Sequence, residues 1–166
     1  MHDKSKLVII GDGFAAAVTA IHLLRKGIAA DSLTIIGPGL LGKGHAYGCE
    51  SPSFRLNVRE DLPIVFSDDP LHFARWAKTN IDDPEAKTSA GNFYRRADFG
   101  RYVSELVAAE VGFDQIQRIP SKVSRLNQVH DGLWRLDTTD GHCIHSERVI
   151  IATGNSPPTW PCAIKA

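Results

Sequence analysis

Gly11, Gly13 and Ala16 stand at the spacing G-x-G-x-x-A, directly after the apolar run Leu7-Val8-Ile9-Ile10 and at the head of an alanine-rich segment. Each small residue has its own physical reason in this pattern. Gly11 permits a tight turn out of a strand, Gly13 leaves the backbone open to a pyrophosphate, and Ala16 lets the following helix pack closely on a sheet. The first turn of that helix, with Phe14 and Ala15, offers unpaired N–H groups and the positive end of the helix dipole. The chemistry this predicts is capture of a dinucleotide phosphate by the backbone. A second glycine set follows at Gly42-Lys43-Gly44-His45-Ala46-Tyr47, with Gly39 and Gly48 on either side. Its backbone can approach a ligand closely; the competing reading is a mobile surface loop.

Other reactive side chains carry less. His142-Cys143-x-His145 has the letters of a metal cluster, but in a strand residues 143 and 145 share one face and 142 the other, which favours a hairpin with exposed imidazoles. Arg95, Arg96 and Arg101 read either as a phosphate-binding cluster or as solvated, salt-bridged cations. Ser, His and Asp all occur, yet no G-x-S-x-G elbow does. Any chemistry therefore belongs to a bound cofactor, with the protein supplying binding and orientation.

The elements that must position these residues follow from periodicity. A buried strand over Leu7 to Ile10, a helix from Phe14 to Lys26 capped by Gly27, and a strand from Leu33 to Ile36 make a βαβ unit. Pro38 to Gly48 predicts an irregular loop, Phe54 to Val58 an extended segment. A helix opens at Pro70 with Phe73, Trp76 and Ala77 on one face. Residues 80 to 92 read as an irregular surface loop. A second helix spans Asp98 to Val111, with Phe99, Tyr102, Val103, Leu106 and Val107 as its buried stripe.

After Gly112 the period changes. Runs at 122–129, 133–138 and 142–146, separated by Asp131-Gly132 and Asp140-Gly141, predict an antiparallel three-stranded meander inserted over about 120–146. Arg148 to Ala152 then returns to the parallel sheet and ends at Thr153-Gly154. The expected fold is α/β and Rossmann-like, one domain over 1–156 with a proline-containing tail at 157–166.

Composition sets the outer bounds. The 166 residues carry 19 Lys and Arg against 19 Asp and Glu. That balance excludes a general electrostatic attraction to nucleic acid or an anionic membrane. No apolar stretch approaches the roughly 20 residues needed to span a bilayer. The three cysteines lack C-x-x-C spacing and read as reduced thiols, so the expected compartment is the cytoplasm.

Four stretches, in order, resemble the FAD–NAD(P)-binding family of bacterial flavoproteins, a two-dinucleotide-domain, flavin-monooxygenase-like group. They are the fingerprint at Gly11, Gly13 and Ala16; the set Gly42-Lys43-Gly44-His45-Ala46-Tyr47; Leu56-Asn57-Val58 with Asp68-Asp69-Pro70 and Phe73-x-x-Trp76; and Arg96 to Tyr102 together with Val149 to Gly154. The likeness covers essentially the whole chain. It implies FAD, with NAD(P) as a possible second nucleotide. Gly11, Gly13 and Phe14 would meet the pyrophosphate, with Ala15 beside them and Ala16 packing the helix. Gly44, His45, Ala46 and Tyr47 would lie on the flavin side, and Asn57, Thr153 and Gly154 would close the site.

Two departures stand out against the resemblance. Where the family usually ends its second strand in an acid that holds the adenosine ribose, this chain has Gly37, which predicts loose cofactor binding. Asp31 precedes the strand, at the end away from the phosphate site, and is not the ribose ligand. Second, family members continue well past Ala-Thr-Gly. The expectation is therefore an N-terminal, FAD-binding module of a flavin-dependent oxidoreductase, monooxygenase-like, that needs a C-terminal domain or a partner subunit for turnover. The alternative is a non-catalytic nucleotide-binding or interaction module. A flavin spectrum and consumption of reduced nicotinamide tell the two apart.

Overall fold

The first apolar run becomes the centre of a sheet. In the computed structural model, which describes residues 3–155, β1 (Asp3–Ile10) lies between β2 (Leu33–Ile36) and β8 (Cys143–Ile151), parallel to both. The full order is β5-β2-β1-β8-β7-β6, with β5 (Gln117–Ile119), β6 (Val123–Gln128) and β7 (Trp134–Thr138). Alternation along the strands splits the core. Ile9 and Ile35 face the helices, whereas Val8, Ile10 and Ile36 join Leu136 and Ile144 on the other side.

Helix α1 (Phe14–Arg25) follows the first glycine turn, and its close approach to the sheet uses alanine, with Ala16, Ala17 and Ala20 fully buried. The chain leaves it through Lys26 and Gly27, whose N–H donates to Leu24 O. α3 (His72–Asn80) and α4 (Arg96–Ala109) carry the larger side chains, with Phe73, Phe99, Tyr102 and Val103 buried. The predicted stripe of α4 holds at Phe99, Tyr102 and Val103, with Leu106 and Val107 partly buried.

The structure corrects several local expectations. The loop over 38–48 contains a four-residue helix, α2 (Gly44–Tyr47). Phe54 to Val58 forms no strand, only an isolated bridge from Arg55 to Arg95. α3 begins at His72, because Phe66–Asp69 first closes a turn, with Asp69 N donating to Phe66 O and His72 N to Asp69 O. The 80–92 segment holds a short 3-10 turn, Pro84–Ala86, and a two-residue hairpin of β3 (Lys87–Thr88) and β4 (Gly91–Asn92). α4 starts and stops two residues earlier than its predicted bounds. Val111, 88% exposed, lies beyond it. β5, with only Ile119 buried, has too little pattern to announce itself.

The largest correction concerns the meander. Its third strand and the returning parallel strand are one element, β8. Residues 143–146 pair antiparallel with β7, while 144–151 pair parallel with β1. The polar pair Ser146-Glu147 interrupts the apolar run, yet Ser146 is fully buried, with its hydroxyl donating to Arg148 O at 2.7 Å. The predicted antiparallel meander is thus β6-β7-β8, sharing β8 with the parallel half of a mixed sheet. Its first hairpin has positive φ at Asp131 and Gly132, as the Asp-Gly signal requires. The loop nevertheless holds three residues, His130–Gly132, closed by Val129 N donating to Leu133 O.

The expected tail at 157–166, with Cys162, lies outside the described residues. Among those described, no helix is long and apolar enough to cross a membrane.

Candidate functional site

Four parallel strands, β5, β2, β1 and β8, end at the same sheet edge, and their ends are tied together by backbone. Gly11 N donates to Ile36 O at 2.8 Å, Gly37 N to Ile119 O at 3.0 Å, and Ala152 N to Ile10 O at 2.8 Å. Open α/β sheets bind ligands outside the carboxyl ends of their strands. Here that edge borders a cleft of about 830 Å³, lined by Gly11, Asp12, Gly37, Gly39, Lys43, Gly44, His45, Lys122 and Thr153, among others. The volume falls in the range of small-molecule and cofactor sites.

The glycines here are demanded by close approach. Gly11 has φ +125, and a Cβ there would overlap the carbonyl of Ala152, 2.7 Å from its carbon. Gly44 touches the fingerprint directly: a Cβ on Gly44 would lie 2.7 Å from the Cα of Gly13. Gly42 N donates to Asp12 O at 2.8 Å. The two glycine sets, distant in sequence, therefore meet backbone to backbone and form one wall. That contact decides between the two readings of Gly44: it belongs to a built loop. Gly13 itself, with φ −80 and ψ −169, caps α1 without any side-chain hydrogen bond, and no acid occupies the first turn. The N–H groups of Phe14, Ala15 and Ala16 have no intrahelical acceptors at such a start. A cradle of this kind fits a dinucleotide pyrophosphate.

The sequence-predicted site residues divide into two sets. Gly11, Gly37, Gly44, His45 and Thr153 line the cleft, and Gly13 abuts it through Gly44. Ala16 is buried under the helix. Phe14 and Tyr47 turn their rings the other way, against Phe99, with centroids 5.5 and 4.9 Å from it. Ala15, Ala46, Asn57 and Gly154 are exposed and do not line the cleft. Asp31 sits in the 3-10 turn Ala30–Ser32 ahead of β2, at the far end from the glycine turn.

Asp12, Lys43 and Lys122 join the site without having been singled out from the sequence. Lys43 could have been found, since it stands between two glycines of the second set. Asp12 is the unexpected member: its carboxylate Oδ2 accepts the N–H of Gly39.

The arginine cluster is salt-bridged. Arg95 Nε lies 3.3 Å from Asp83, and Arg101 pairs with Asp98 and Glu105 while lying over the Trp76 ring. Arg96 donates to the carbonyl of Arg55. Among the described residues no group of three His, Cys, Asp or Glu side chains could hold a metal ion, and His142 is exposed beside Asp140.

Comparison with known proteins agrees with this geometry. A family model described as FAD-NAD(P)-binding matches residues 8–156. A curated relative, the tRNA 5-methylaminomethyl-2-thiouridine biosynthesis bifunctional protein MnmC of Idiomarina loihiensis, is 24% identical over 200 aligned residues, covering 93% of this chain and 32% of its own length. Among solved structures, OTEMO in complex with FAD and NADP is similar with a TM-score of 0.65 at 23% identity, over 95% of this chain and 27% of that one. An oxidised steroid monooxygenase bound to NADP gives a TM-score of 0.70 at 15% identity, over 96% and 28%. Bacillithiol disulfide reductase of Staphylococcus aureus gives 0.58 at 21%, over 92% and 39%. The chain thus spans about a third of the length of these proteins, and the structural likeness is one of fold. With the fingerprint turn, the paired glycine walls and the match over residues 8–156 in agreement, this chain belongs to the FAD-NAD(P)-binding family.

Proposed function

We propose that the dinucleotide held by this chain is FAD, and that the chain is the FAD-holding part of a flavin-dependent oxidoreductase of the monooxygenase-like type. The observation that carries the reading is the contact between Gly13 and Gly44, which sets two glycine walls on one cleft. One wall, with the start of α1, supplies N–H donors and a favourable dipole for a pyrophosphate. The other, Gly44 with His45, borders the space where a ring system would extend. Lys43 and Lys122 add positive charge along the cleft.

FAD, when bound, supplies two-electron redox chemistry. The residues of this chain bind it and orient it at the carboxyl edge of the sheet. Solved neighbours that carry FAD and NADP support the choice of cofactor. We further infer that turnover with reduced nicotinamide draws on parts beyond these residues, in a further domain or a partner subunit. Free thiols at Cys49 and Cys143 support a cytoplasmic setting.

Calorimetric titration with FAD tests the reading, with Gly13→Ala as the discriminating variant. A Cβ at position 13 lies 3.7 Å from Gly44 Cα, in ordinary contact, so the variant keeps its fold. It loses about 1 kcal/mol for alanine at an N-cap. The expected result is binding by the parent and at least a tenfold loss in the variant at an unchanged circular dichroism spectrum. Equal affinity in both would remove the pyrophosphate from this turn.

A further inference from the structure

Gly37 ends β2 at the position where dinucleotide folds place an acid that accepts hydrogen bonds from the ribose. Its backbone does not explain the glycine, because Gly37 is not among the residues with positive φ. The space around it does. A Cβ on Gly37 would lie 2.7 Å from Asp12 Cβ and 2.8 Å from Asp12 Oδ2, and one on Gly39 would lie 2.9 Å from the same oxygen. The volume a side chain at 37 needs is already filled by the carboxyl of Asp12, which reaches across from the turn after β1 and is held by the Gly39 N–H. Asp12 lines the cleft, and the Arg118 guanidinium is near enough to interact with its carboxylate charge.

We propose that Asp12 is the ribose acid of this chain, the carboxylate having moved from the end of β2 to the middle of the glycine turn. The inference rests on the nucleotide reading above and deepens it. The acid and the glycine are one exchange: a side chain arriving from position 12 requires its absence at position 37. Asp12 directs Oδ2 toward Gly39, so its charge is anchored at the β2 end. A carboxylate in this place accepts from a free 2′-hydroxyl and repels a 2′-phosphate. The preferred ligand is therefore an adenosine with an unmodified ribose, as in FAD or NAD, in preference to the 2′-phosphorylated ribose of NADP. Loose binding, expected from Gly37 alone, gives way to ordinary affinity.

The experiment uses the full chain titrated calorimetrically with FAD, ADP, 2′-deoxy-ADP and 2′-phospho-ADP. The parent is expected to bind ADP tenfold to a hundredfold more tightly than 2′-deoxy-ADP, the range for a hydrogen bond to a charged group, and to reject 2′-phospho-ADP. Asp12→Asn keeps an acceptor for the Gly39 N–H, so it holds the turn while lowering the discrimination and admitting the 2′-phosphate. Gly37→Asp alone is expected to lower the melting temperature, and the double variant Asp12→Gly/Gly37→Asp to restore both stability and preference for ADP. Asp12→Asn binding with parental discrimination, or a double variant that recovers neither property, overturns the proposal while leaving FAD binding intact. A parent that binds neither FAD nor ADP overturns this assignment together with the nucleotide reading.

Discussion

The glycine walls and the aromatic region behind them are built on opposite principles. Around Gly11, Gly13, Gly44 and Ala152 the chain meets itself backbone to backbone, and the side chains are absent by necessity. Between Phe54 and Tyr102 two helices and the loops around them are held by side chains: Phe73 and Phe99 rings stand 4.9 Å apart, Phe73 and Tyr102 5.1 Å, and Trp76 and Tyr102 5.2 Å. Asp83, whose side chain is 1% exposed, ties this region together by pairing with Arg55 at 2.9 Å and Arg95 at 3.3 Å. The two regions join at Phe99, which takes Phe14 from the first glycine turn and Tyr47 from the second. A ligand cradle without side chains is thus positioned by aromatic rings just outside it. The contrast teaches that the open cleft and the dense cluster are one device, the second fixing the first.

Substitutions break the comparison unequally. The largest effect is expected at Gly11→Ala, where the added Cβ overlaps the Ala152 carbonyl in a backbone conformation with φ +125. Both the strain and the overlap oppose folding, and a loss of about 4 kcal/mol or more is expected. Thermal melts followed by circular dichroism check it; near-parental stability would mean that β8 does not approach the turn as described.

Asp83→Ala comes next. It removes the carboxylate shared by Arg55 and Arg95 and is expected to cost about 3 kcal/mol in denaturant unfolding. The pH dependence has a definite sign. Hydrogen bonding and charge from Arg55 hold the Asp83 carboxyl below its usual 3.8, against the opposing effect of burial. Its stabilisation is complete above the unfolded value and is lost as pH falls through the lower folded value. The stability difference between parent and variant should therefore narrow below about pH 4; a constant gap across that range would show that the pair is not ionised.

The smallest effect sharpens the aromatic side. Tyr102 is fully buried with its hydroxyl 2.8 Å from His72 Nδ1, and burial raises its pKa above the usual phenol value. Tyr102→Phe keeps the ring stacking and deletes one hydrogen bond, for an expected loss of about 1 kcal/mol. A loss several times larger would shift the weight of this region from ring packing to the polar contact. FAD affinity should be unaffected by this change, in contrast to Gly13→Ala.

The first βαβ unit was legible because its signals are local. Leu33 to Ile36 is apolar but for Thr34, Phe14 to Arg25 carries helical spacing, and glycines punctuate both ends. The family resemblance rests on the same short-range letters, which is why the family match and the glycine cradle agree with it. Less local features escaped. Ser146 and Glu147 look like a break between strands, and only neighbours on both flanks, β7 and β1, make them one strand. The ring directions of Phe14 and Tyr47 depend on Phe99, far along the chain.

What the amino-acid order determines by itself is the set of elements with a period, the turns that need glycine, and the kind of ligand such a turn accepts, since hydrophobic spacing and backbone sterics act within a few residues. What only the tertiary structure decided is which distant residues share space. Gly11 is glycine because Ala152 arrives beside it, Gly44 because Gly13 does, and Gly37 because the Asp12 carboxyl already fills its place. Close packing admits one group per volume, and no local pattern records which group that is.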